Sequence, residues 1–447
     1  FVTVTDMKTE EQLSSTIKSL NEDTSLDSSR IRYVLGKHEL SDFESADVVI
    51  KNPGVKYGGN KFLAAAKSIE TDLSIFLHFT NAPIIAVTGS KGKSSTVSAI
   101  HYGLTKAGFK CFLGGNITVS PLTFLEETNE KTPVVLELSS WQLSDLRGRK
   151  LLKPYICVIT KIMADHQNWY GAMEPYVADK KLIYADQDKN DFAIFTKDDE
   201  WGNIFASECN ANILRYSSKT PSQDGCWFVK DENGTPYGKG VLQTTYDSHP
   251  KIALEEVSVP GNHMKEDLLN AALVMRLMQV PVSKIKEILA TFPGIQHRLE
   301  FFHEWKNSSG VSFRFYNDSA STVPDSTAAA INAFETAPIL LSGGTDKVLD
   351  FTPLANEIHK AAKVFLLSGT GTDKLLPLLD ERKIKYETPC QSLAELFTKL
   401  KSYLETIESC EAKTIPVLFS PGATSFGMFS NEFDRGNKYK SGVLENF

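Results

Sequence analysis

The segment IIAVTGSKGKSSTVSAIHYGL, residues 84 to 104, joins an apolar run, a glycine turn with lysine and serine, and an apolar-periodic stretch. A strand, a glycine turn and a helix in this order form a phosphate-binding loop, because glycines let backbone N–H groups approach phosphate oxygens at an electropositive helix N-terminus. Lys93 would then reach the β- and γ-phosphates of a nucleotide, and Ser94 would bind Mg²⁺. The strict pattern has glycine where this chain has Val87, and a plain strand–turn–helix connector is the alternative.

Further candidates follow the next two apolar runs. VVLELSSWQL predicts a buried strand with Glu137 near its end, and a buried carboxylate is costly unless it is paired or binds a metal. Beside a phosphate loop Glu137 could hold Mg²⁺; an ordinary polar residue at a strand end is the alternative. Asp165 and His166 follow the run YICVIT, and Lys180 lies on the next predicted helix. A single histidine is more often structural, so His166 taken alone leaves both interpretations open.

The last third of the chain offers a second set of polar residues at predicted strand ends. PGIQHRLEFF and FYNDSAST contain His297, Arg298 and Asp318. Arginine could stack on a base or reach a phosphate, and aspartate could accept a hydrogen bond from a ribose; an ion pair at a domain boundary is the alternative. Lys347 in LLSGGTDK and Ser425 in LFSPGATSF would lie at one sheet edge, as a pocket for a small anion or as two ordinary glycine turns.

The composition narrows the class of protein. A chain of 447 residues should hold two to four domains, at about 100–200 residues each. A net charge of -7 and a pI of about 5.8 disfavour a general nucleic-acid or anionic-membrane binder, whose field would be basic. No apolar run reaches the roughly 18 residues of a membrane span. The six cysteines contain no CxxC pair, which argues against zinc and suits a reducing cytoplasm.

The order of elements predicts an α/β protein. Residues 1–82 alternate short strands with the helical stretches EEQLSSTIKSL and NKFLAAAKSIE, which indicates a small parallel sheet. The sequence opens directly on the strand FVTVTD, so we expect the first strand of this sheet to be missing. HFTNAP indicates a linker. Apolar runs at IIAV, PVVLEL, YICVIT and FAIFT suit buried parallel strands, and residues 202–260 are more polar and strand-rich. A third block begins near FPGIQHR, with strands predicted at FRFYND, APILLSGG, KVFLLSG and IPVLFSPG.

Together these motifs resemble those of the Mur ligase family, and the resemblance extends from residue 1 to the C-terminus. The family's TGTNGK[ST][ST], GGNIG, LELSSFQL, Asp-His, YxxAK, HR, NDS and SPxxxSF…RG motifs occur here in the same order. They correspond to residues 88–95, 114–118, 136–143, 165–166, 176–180, 297–298, 317–319, and 420–426 with 435–436. One such match would be weak, but this many in order are specific. LELSSWQL is most similar to the family branch that adds D-glutamate.

The resemblance implies three domains and an activity. Residues 1–82 would be a Rossmann-like domain that binds a UDP-substrate, residues 83–294 a central P-loop ATPase-type domain, and residues 295–447 a Rossmann-like domain for the amino acid. The implied reaction is ATP-dependent addition of D-glutamate to UDP-N-acetylmuramoyl-L-alanine through an acyl phosphate, in peptidoglycan precursor synthesis. The expected partners are these small molecules, with no nucleic acid or membrane, and the expected state is a cytoplasmic monomer.

The resemblance also implies roles for individual residues. ATP-binding residues would be Gly89, Ser90, Lys91, Gly92, Lys93, Ser94, Ser95, Asp267, Arg298 and Asp318. Catalytic residues would be Lys93, Glu137, His166 and Lys180. Two Mg²⁺ ions would be held by Ser94 with Glu137, and by His166 with a carbamylated Lys180. The UDP-substrate would contact Asp6, Asn52, Asn116 and Ser139. The amino acid would contact Lys347, Ser425 and Phe426. The carbamate matters because a plain ammonium repels Mg²⁺, whereas a carbamate presents hard oxygen ligands.

Several positions depart from the family pattern. Ser90-Lys91 replaces the usual Thr-Asn, Met264 and Asp267 replace two asparagines, and Ala320 stands where a lysine often follows NDS. Two rival functions therefore remain: a sibling Mur ligase or folate-polyglutamate ligase that uses another amino acid, and a nucleotide-binding regulatory protein that ligates nothing. A dehydrogenase is disfavoured because the chain has no GxGxxG.

Overall fold

The computed structural model describes residues 1–117, 119–222, 224–230, 237–408 and 414–447. Thr118, the last residue of the GGNIT motif, lies outside this part. The elements of the N-terminal region are β1 (Val2–Asp6), α1 (Glu10–Glu22), β2 (Ile31–Leu35), α2 (Leu40–Ser45), β3 (Val49–Ile50), α3 (Lys61–Ala65), β4 (Ile69–Glu70) and α4 (Asp72–Phe79). β1 pairs with β2, and β3 with β4, both in parallel.

Two predictions for this region are wrong. NKFLAAAKSIE is not helical throughout: Asn60 caps α3, which ends at Ala65, and Ile69 then pairs with Val49 in β4. The alanine-rich run favours a helix locally, but pairing of the β-branched residues decides the second half. The linker predicted at HFTNAP begins later, because α4, which starts from a Thr71 capping box, runs on to Phe79.

The central region is built on one large sheet. Its strands are β5 (Ile84–Thr88), β6 (Phe112–Gly115), β7 (Val134–Glu137), β8 (Ile156–Ile159), β9 (Phe192–Thr196), β10 (Asn212–Ser217), β11 (Gly225–Val229), β12 (Lys239–Gln243) and β13 (Lys251–Leu254). Its helices are α5 (Lys93–Ala107), α6 (Ser140–Asp145), α7 (Gln167–Tyr170), α8 (Met173–Lys181), α9 (Glu200–Glu208), α10 (Asn262–Leu277) and α11 (Val282–Ala290). In the described residues the strand order is β13-β12-β11-β10-β9-β8-β5-β7-β6, with every pairing parallel except those of β12, which is antiparallel to both β11 and β13.

This strand order brings the predicted functional residues of the central region close together. β5 lies between β7 and β8, so the loops that follow these three strands meet at one edge of the sheet. Successive side chains of a strand point to opposite faces. Ile85 and Val87 belong to a buried apolar cluster with residues of α5, α10 and α11, while Ile84 and Ala86 belong to a second cluster with residues of α4, α6, α8 and α9. Both faces are buried, which explains the continuous apolar run IIAV.

The C-terminal region has a smaller sheet. Its strands are β14 (Glu300–Lys306), β15 (Ser312–Asn317), β16 (Ile339–Gly343), β17 (Lys363–Leu367) and β18 (Ile415–Phe419). Its helices are α12 (Pro324–Ile331), α13 (Thr352–Glu357), α14 (Thr370–Glu381), α15 (Leu393–Glu405) and α16 (Glu432–Asn446). The described strands follow the order β14-β15-β18-β16-β17, with β14 antiparallel at the edge. The four strands predicted from apolar runs are confirmed; β14 is additional.

The α/β fold class is confirmed. The sheets fall in the three regions expected from the sequence, whereas the boundaries at 82/83 and 294/295 stay predictions. Among the helices of the described ranges, none combines the length and the apolar character that crossing a bilayer requires.

Candidate active site

The loop between β5 and α5 has the backbone of a phosphate-binding loop. Gly89 has φ +147° and Gly92, which directly precedes α5, has φ +88°. A Cβ at Gly89 would lie 1.9 Å from Thr160 Oγ1, and one at Gly92 would lie 2.4 Å from Asp267 Oδ1. Both positions therefore require glycine, for conformation and for space. The strand-to-helix junction predicted from the sequence is confirmed.

Lys93 folds back over the loop. Its Nζ donates hydrogen bonds to the carbonyl oxygens of Gly89 (2.9 Å) and Ser90 (3.1 Å). Burial lowers the pKa of Lys93, while the carboxylates of Glu137 and Asp165 act in the opposite direction. A cation held by two neutral carbonyls beside a helix N-terminus can transfer its hydrogen bonds to an arriving phosphate.

The two unusual loop residues anchor the loop to the segment after β8. Ser90 Oγ is 2.9 Å from both the carbonyl oxygen and the amide nitrogen of Met163, and 2.9 Å from the Tyr176 hydroxyl. The backbone N–H groups of Ser90 and Lys91 both point at the Lys161 carbonyl, at 2.8 and 3.4 Å. Ser90 thus fixes the loop from behind, and the Lys91 side chain remains exposed.

Glu137 lies at the tip of β7 with one carboxylate oxygen engaged. Asn116 Nδ2 donates to Glu137 Oε1 at 2.7 Å, and the Asn116 backbone N–H donates to the Glu137 carbonyl at 2.8 Å. The other oxygen, Oε2, is buried and has no hydrogen-bond partner within the described residues. A buried, unpartnered carboxylate oxygen is the type of ligand that Mg²⁺ prefers.

Lys180 reaches the same loop from α8. Its side chain is almost fully buried, and Nζ donates to the Gly89 carbonyl at 2.8 Å and to Thr88 Oγ1 at 3.4 Å. Burial, followed by the nearby Lys93 charge, lowers the pKa of Lys180 to about 7. The amine is therefore partly neutral near pH 7 and can act as a nucleophile.

His166 lies in the left-handed region, with φ +51°, and its ring packs on aromatic side chains. The ring centroid is 4.9 Å from that of Trp141, which in turn lies 4.7 Å from that of Trp169. His166 Nε2 is 3.8 Å from Asp165 Oδ2. The tryptophan in LELSSWQL thus contacts the predicted metal ligand His166, a role that the sequence alone did not reveal.

A cleft of about 430 Å³ lies between the phosphate loop and the ends of the C-terminal strands. It is lined by Ser90, Lys91, Gly92, Lys93, Ser94, Ser95, His263, Met264, Ile295, Arg298, Leu299, Asp318, Ala320, Ser321 and Ser326. Most of the predicted ATP-binding residues therefore share one cavity. His263, Ile295, Leu299, Ser321 and Ser326 were missed, although Ile295 and Leu299 lie within PGIQHRLEFF and Ser321 lies within FYNDSAST.

Asp318 brings a buried carboxyl group to the lining of this cleft. It accepts hydrogen bonds from Ser321 Oγ (2.5 Å), Ser420 Oγ (2.6 Å) and the Leu299 backbone N–H (3.1 Å). Burial raises the pKa of Asp318 to about 6 despite these donors. The exposed Arg298 lines the same cavity.

Asp267 lies behind the loop instead of among the residues that line the cleft. Its carboxyl is buried, accepts from Thr96 Oγ1 at 3.3 Å and packs against Gly92. Burial raises the pKa of Asp267 well above its ordinary value. The ATP contact predicted for Asp267 stays a prediction, while the observed contacts are to the loop itself.

We expect Asp267→Asn to be more stable than the wild type above about pH 5. The folded protein holds a proton on Asp267 that the unfolded chain releases near pH 4, so its stability falls as pH rises through the interval between the two pKa values. Asparagine cannot ionise and keeps an acceptor for Thr96. The gain should show as a melting temperature that exceeds the wild-type value at pH 8 and approaches it at pH 4.5. A pH-independent difference would contradict this.

The predicted amino-acid residues lie on two loops that are paired with each other. Thr345 and Thr424 exchange backbone hydrogen bonds of 3.1 and 2.9 Å, which joins the loop after β16 to the loop after β18. Lys347 and Phe426 are exposed and Ser425 is buried on these loops. None of these three belongs to the described lining of the 430 Å³ cleft.

Arg435, at the start of the RG motif, holds neighbouring loops together. Its fully buried guanidinium donates to Ser319 Oγ (3.1 Å), the Ser319 carbonyl (2.8 Å) and the Ala423 carbonyl (2.9 Å). The loop after β15 is thereby tied to the loop after β18. The RG motif was the available signal, and the role of Arg435 was not predicted.

The predicted UDP-substrate residues are spread over separate segments. Asp6 Oδ1 accepts from the Lys8 backbone N–H, and Asn52 Oδ1 accepts from that of Gly54. The Ser139 hydroxyl caps α6. Along with Asn116, they are absent from the described lining of the 430 Å³ cleft.

Comparison with known proteins adds family relationships. Residues 87–275 match the family model described as Mur ligase middle domain. The UDP-N-acetylmuramoylalanine--D-glutamate ligase of Treponema pallidum (strain Nichols) is 39% identical, covering 99% of this chain and 92% of that protein. The protein of the same name from Borreliella afzelii (strain PKo) is 35% identical over 98% of this chain and 90% of its own length. The solved MurF ligase of Thermotoga maritima in complex with ADP matches in fold, with a TM-score of 0.53, 14% identity and coverage of 99% and 95%.

Proposed function

Because the chain belongs to the Mur ligase family, we propose that it is the ATP-dependent ligase that adds D-glutamate to UDP-N-acetylmuramoyl-L-alanine in peptidoglycan precursor synthesis. The observation that carries this proposal is the cleft in which the loop of Lys93 and Ser94 faces Arg298 and Asp318. Near full-length identity to proteins named for this reaction supports the substrate assignment.

The reaction proceeds in two steps. The alanyl carboxylate of the UDP-substrate attacks the γ-phosphorus of ATP, an O–P bond forms, the bond to the β–γ bridging oxygen breaks, and ADP leaves. The unprotonated amine of D-glutamate then attacks the acyl phosphate carbon, phosphate departs, and a proton passes from nitrogen to solvent. Lys93 neutralises charge on the transferred phosphoryl group, since phosphoryl transfer depends chiefly on positioning and electrostatics.

The residues fit Mg²⁺. Glu137 Oε2 is a buried oxygen without a protein partner in the described residues, and Ser94 follows Lys93 in the first turn of α5. In the described ranges, no group of three or more His, Cys, Asp or Glu side chains is arranged so that it could hold a metal ion by itself; this agrees with Mg²⁺, which usually takes one or two carboxylates and completes its shell with water and phosphate oxygens. When bound, Mg²⁺ neutralises phosphate charge. His166 and Lys180 would hold a second ion.

We expect Glu137→Gln to lower turnover about 10²–10³-fold, comparable to the loss of one electrostatic group in other active sites. The amide oxygen can still accept from Asn116, but it cannot neutralise a cation. The variant should therefore need more Mg²⁺ for half-maximal rate and keep the wild-type melting temperature. Phosphate release measured across a Mg²⁺ titration tests this. An unchanged rate and Mg²⁺ requirement would contradict it.

Lys180 is proposed to carry a carbamate. Its amine would attack CO2, forming an N–C bond and releasing a proton, and two oxygens would then replace the ammonium. Its burial against the Gly89 carbonyl and its lowered pKa support this chemistry.

D-Glutamate is proposed to bind between the paired loops of the C-terminal region. Lys347 would pair with a carboxylate of the amino acid and Ser425 would hydrogen-bond to it, while Phe426 would border the site. Because these residues are not part of the described lining of the ATP cleft, the C-terminal region would close over the acyl phosphate during turnover. Domains at 1–82, 83–294 and 295–447 acting in one cytoplasmic monomer complete the proposal.

The test is ATP-dependent phosphate release with UDP-N-acetylmuramoyl-L-alanine and bicarbonate, comparing D-glutamate, L-glutamate, meso-diaminopimelate and L-lysine. Release that depends on D-glutamate alone is expected. Release with another amino acid would retain the ligase chemistry and reassign its specificity to a sibling Mur ligase. Release that ignores every amino acid, or no release, would overturn the ligase and favour a regulatory nucleotide-binding protein.

A further inference from the structure

A buried ion pair joins the N-terminal region to the central region beneath the NPG loop, defined here as residues 52–57. Lys51 Nζ lies 2.9 Å from Asp145 Oδ2, and the two side chains are only 2% and 3% exposed. Taking two charges out of water is costly unless the geometry and additional hydrogen bonds compensate. The cost of burying these two charges therefore indicates that the pair has a role other than stabilising an apolar core.

Lys51 also organises the loop that follows it. Its Nζ donates to the carbonyl oxygens of Asn52 (3.1 Å), Pro53 (3.4 Å) and Val55 (3.0 Å). The ammonium is thus surrounded by three loop carbonyls and one carboxylate. The curvature of the NPG loop is set around this charge, and Asn52 is a predicted contact of the UDP-substrate.

The other end of the loop is also attached to the central region. Lys56 Nζ lies 3.9 Å from the ring centroid of Trp169, a cation–π contact. Asp145 is the last residue of α6, the helix that Ser139 caps. The ion pair therefore connects the loop of Asn52 to the helix of Ser139, and both residues are predicted contacts of the UDP-substrate.

We propose that the Lys51–Asp145 ion pair positions the NPG loop against α6, so that the uridine-diphosphate and muramoyl ends of the substrate meet residues at a fixed separation. The pair contacts no substrate and acts through Asn52 and Ser139. This inference rests on the proposed function, since it assigns a means of holding that reaction's UDP-substrate. ATP would bind in the separate 430 Å³ cleft, so the affinity for ATP should not depend on this ion pair.

The experiment compares Lys51→Met, the double variant Lys51→Met/Asp145→Leu, and a matched control, Arg149→Met. Arg149 forms an ion pair with Glu70 that joins the same two regions, but it is 29% exposed and its guanidinium donates to Glu70 instead of to the carbonyls of the NPG loop. The measurements are KM for UDP-N-acetylmuramoyl-L-alanine, KM for ATP, kcat, melting temperature, and calorimetric binding of the UDP-substrate alone.

Lys51→Met should raise KM and the dissociation constant for the UDP-substrate at least tenfold, with KM for ATP within twofold of wild type. The double variant should recover the melting temperature, because it leaves no unpaired buried charge, but not the affinity. Arg149→Met should change either affinity less than twofold. If Lys51→Met does not fold, the affinities of the double variant for the UDP-substrate and for ATP test the inference on their own.

Three results would overturn the inference: unchanged affinity in both Lys51 variants, parallel loss of UDP-substrate and ATP affinity, or an equal loss in Arg149→Met. Each of these results would mean that the ion pair only stabilises the fold and does not position the substrate-binding residues. The proposed function would also be overturned if the wild-type protein neither bound the UDP-substrate nor released phosphate. This outcome is distinguishable from failure of the inference alone, because the wild type is measured before the variants.

Discussion

Lys93→Ala should lower turnover at least about 10³-fold while the melting temperature changes by no more than a few degrees. Lys93 is held over the loop by the Gly89 and Ser90 carbonyls, where its charge would meet the γ-phosphate as negative charge shifts during transfer. Loss of one such group costs about 10²–10³-fold in enzymes studied by mutation. Here it also removes a phosphate ligand. The melting temperature should change little, because the variant loses two hydrogen bonds to carbonyls but no longer has to bury a cation. These two effects on stability oppose each other.

A second lysine on the same helix serves as the control. Lys106 lies in the last turn of α5 and is exposed, so Lys106→Ala removes the same charge from the far end and should leave turnover within twofold. Steady-state phosphate release, with calorimetric melting of each variant, makes the comparison. Near-normal turnover in Lys93→Ala would show that the loop is not the phosphate site.

Lys180→Met should lower turnover about 10²–10³-fold, and the wild type should lose activity when CO2 and bicarbonate are removed and regain it when they return. A carbamate would supply two oxygens beside the loop, whereas methionine supplies none. Exposure of wild-type protein to ¹³CO2 should give a carbamate resonance by NMR that is missing from the variant. The rate of the variant should not respond to bicarbonate.

Lys181 is the matched control, because it is the next residue of α8 and pairs with Glu208 at the surface. Lys181→Met should keep both the bicarbonate response and the carbamate resonance. A wild-type rate that is insensitive to CO2 depletion, with no carbamate signal, would disprove the modification even if Lys180→Met were inactive.

Local features of the nucleotide site were predictable from the sequence. The apolar run before Thr88, the glycines and the periodic segment after Lys93 are signals within about 20 residues, and they produced β5, the loop and α5 as expected. Glu137 at a strand tip followed from the same reasoning. These signals depend on backbone conformation and alternation, which neighbouring residues determine.

Contacts between distant residues were not predictable. Asp267 meets Thr96 across 171 positions and lies behind the loop because α10 packs on α5. The Lys51–Asp145 pair and the Trp141–His166 contact likewise arise only when separate elements dock. The predicted helix at NKFLAAAKSIE was wrong for a related reason, since sheet pairing outweighed the local preference of its alanines.

Transfer of the γ-phosphoryl group onto the substrate carboxylate is the central claim, and isotope transfer tests it most directly. UDP-N-acetylmuramoyl-L-alanine labelled with ¹⁸O in both alanyl carboxylate oxygens is turned over with ATP and D-glutamate, and the released phosphate is analysed by mass spectrometry. An acyl phosphate predicts one ¹⁸O in each phosphate and one retained in the new amide. Unlabelled phosphate would mean that water attacks ATP, and the protein would then be an ATPase without ligation.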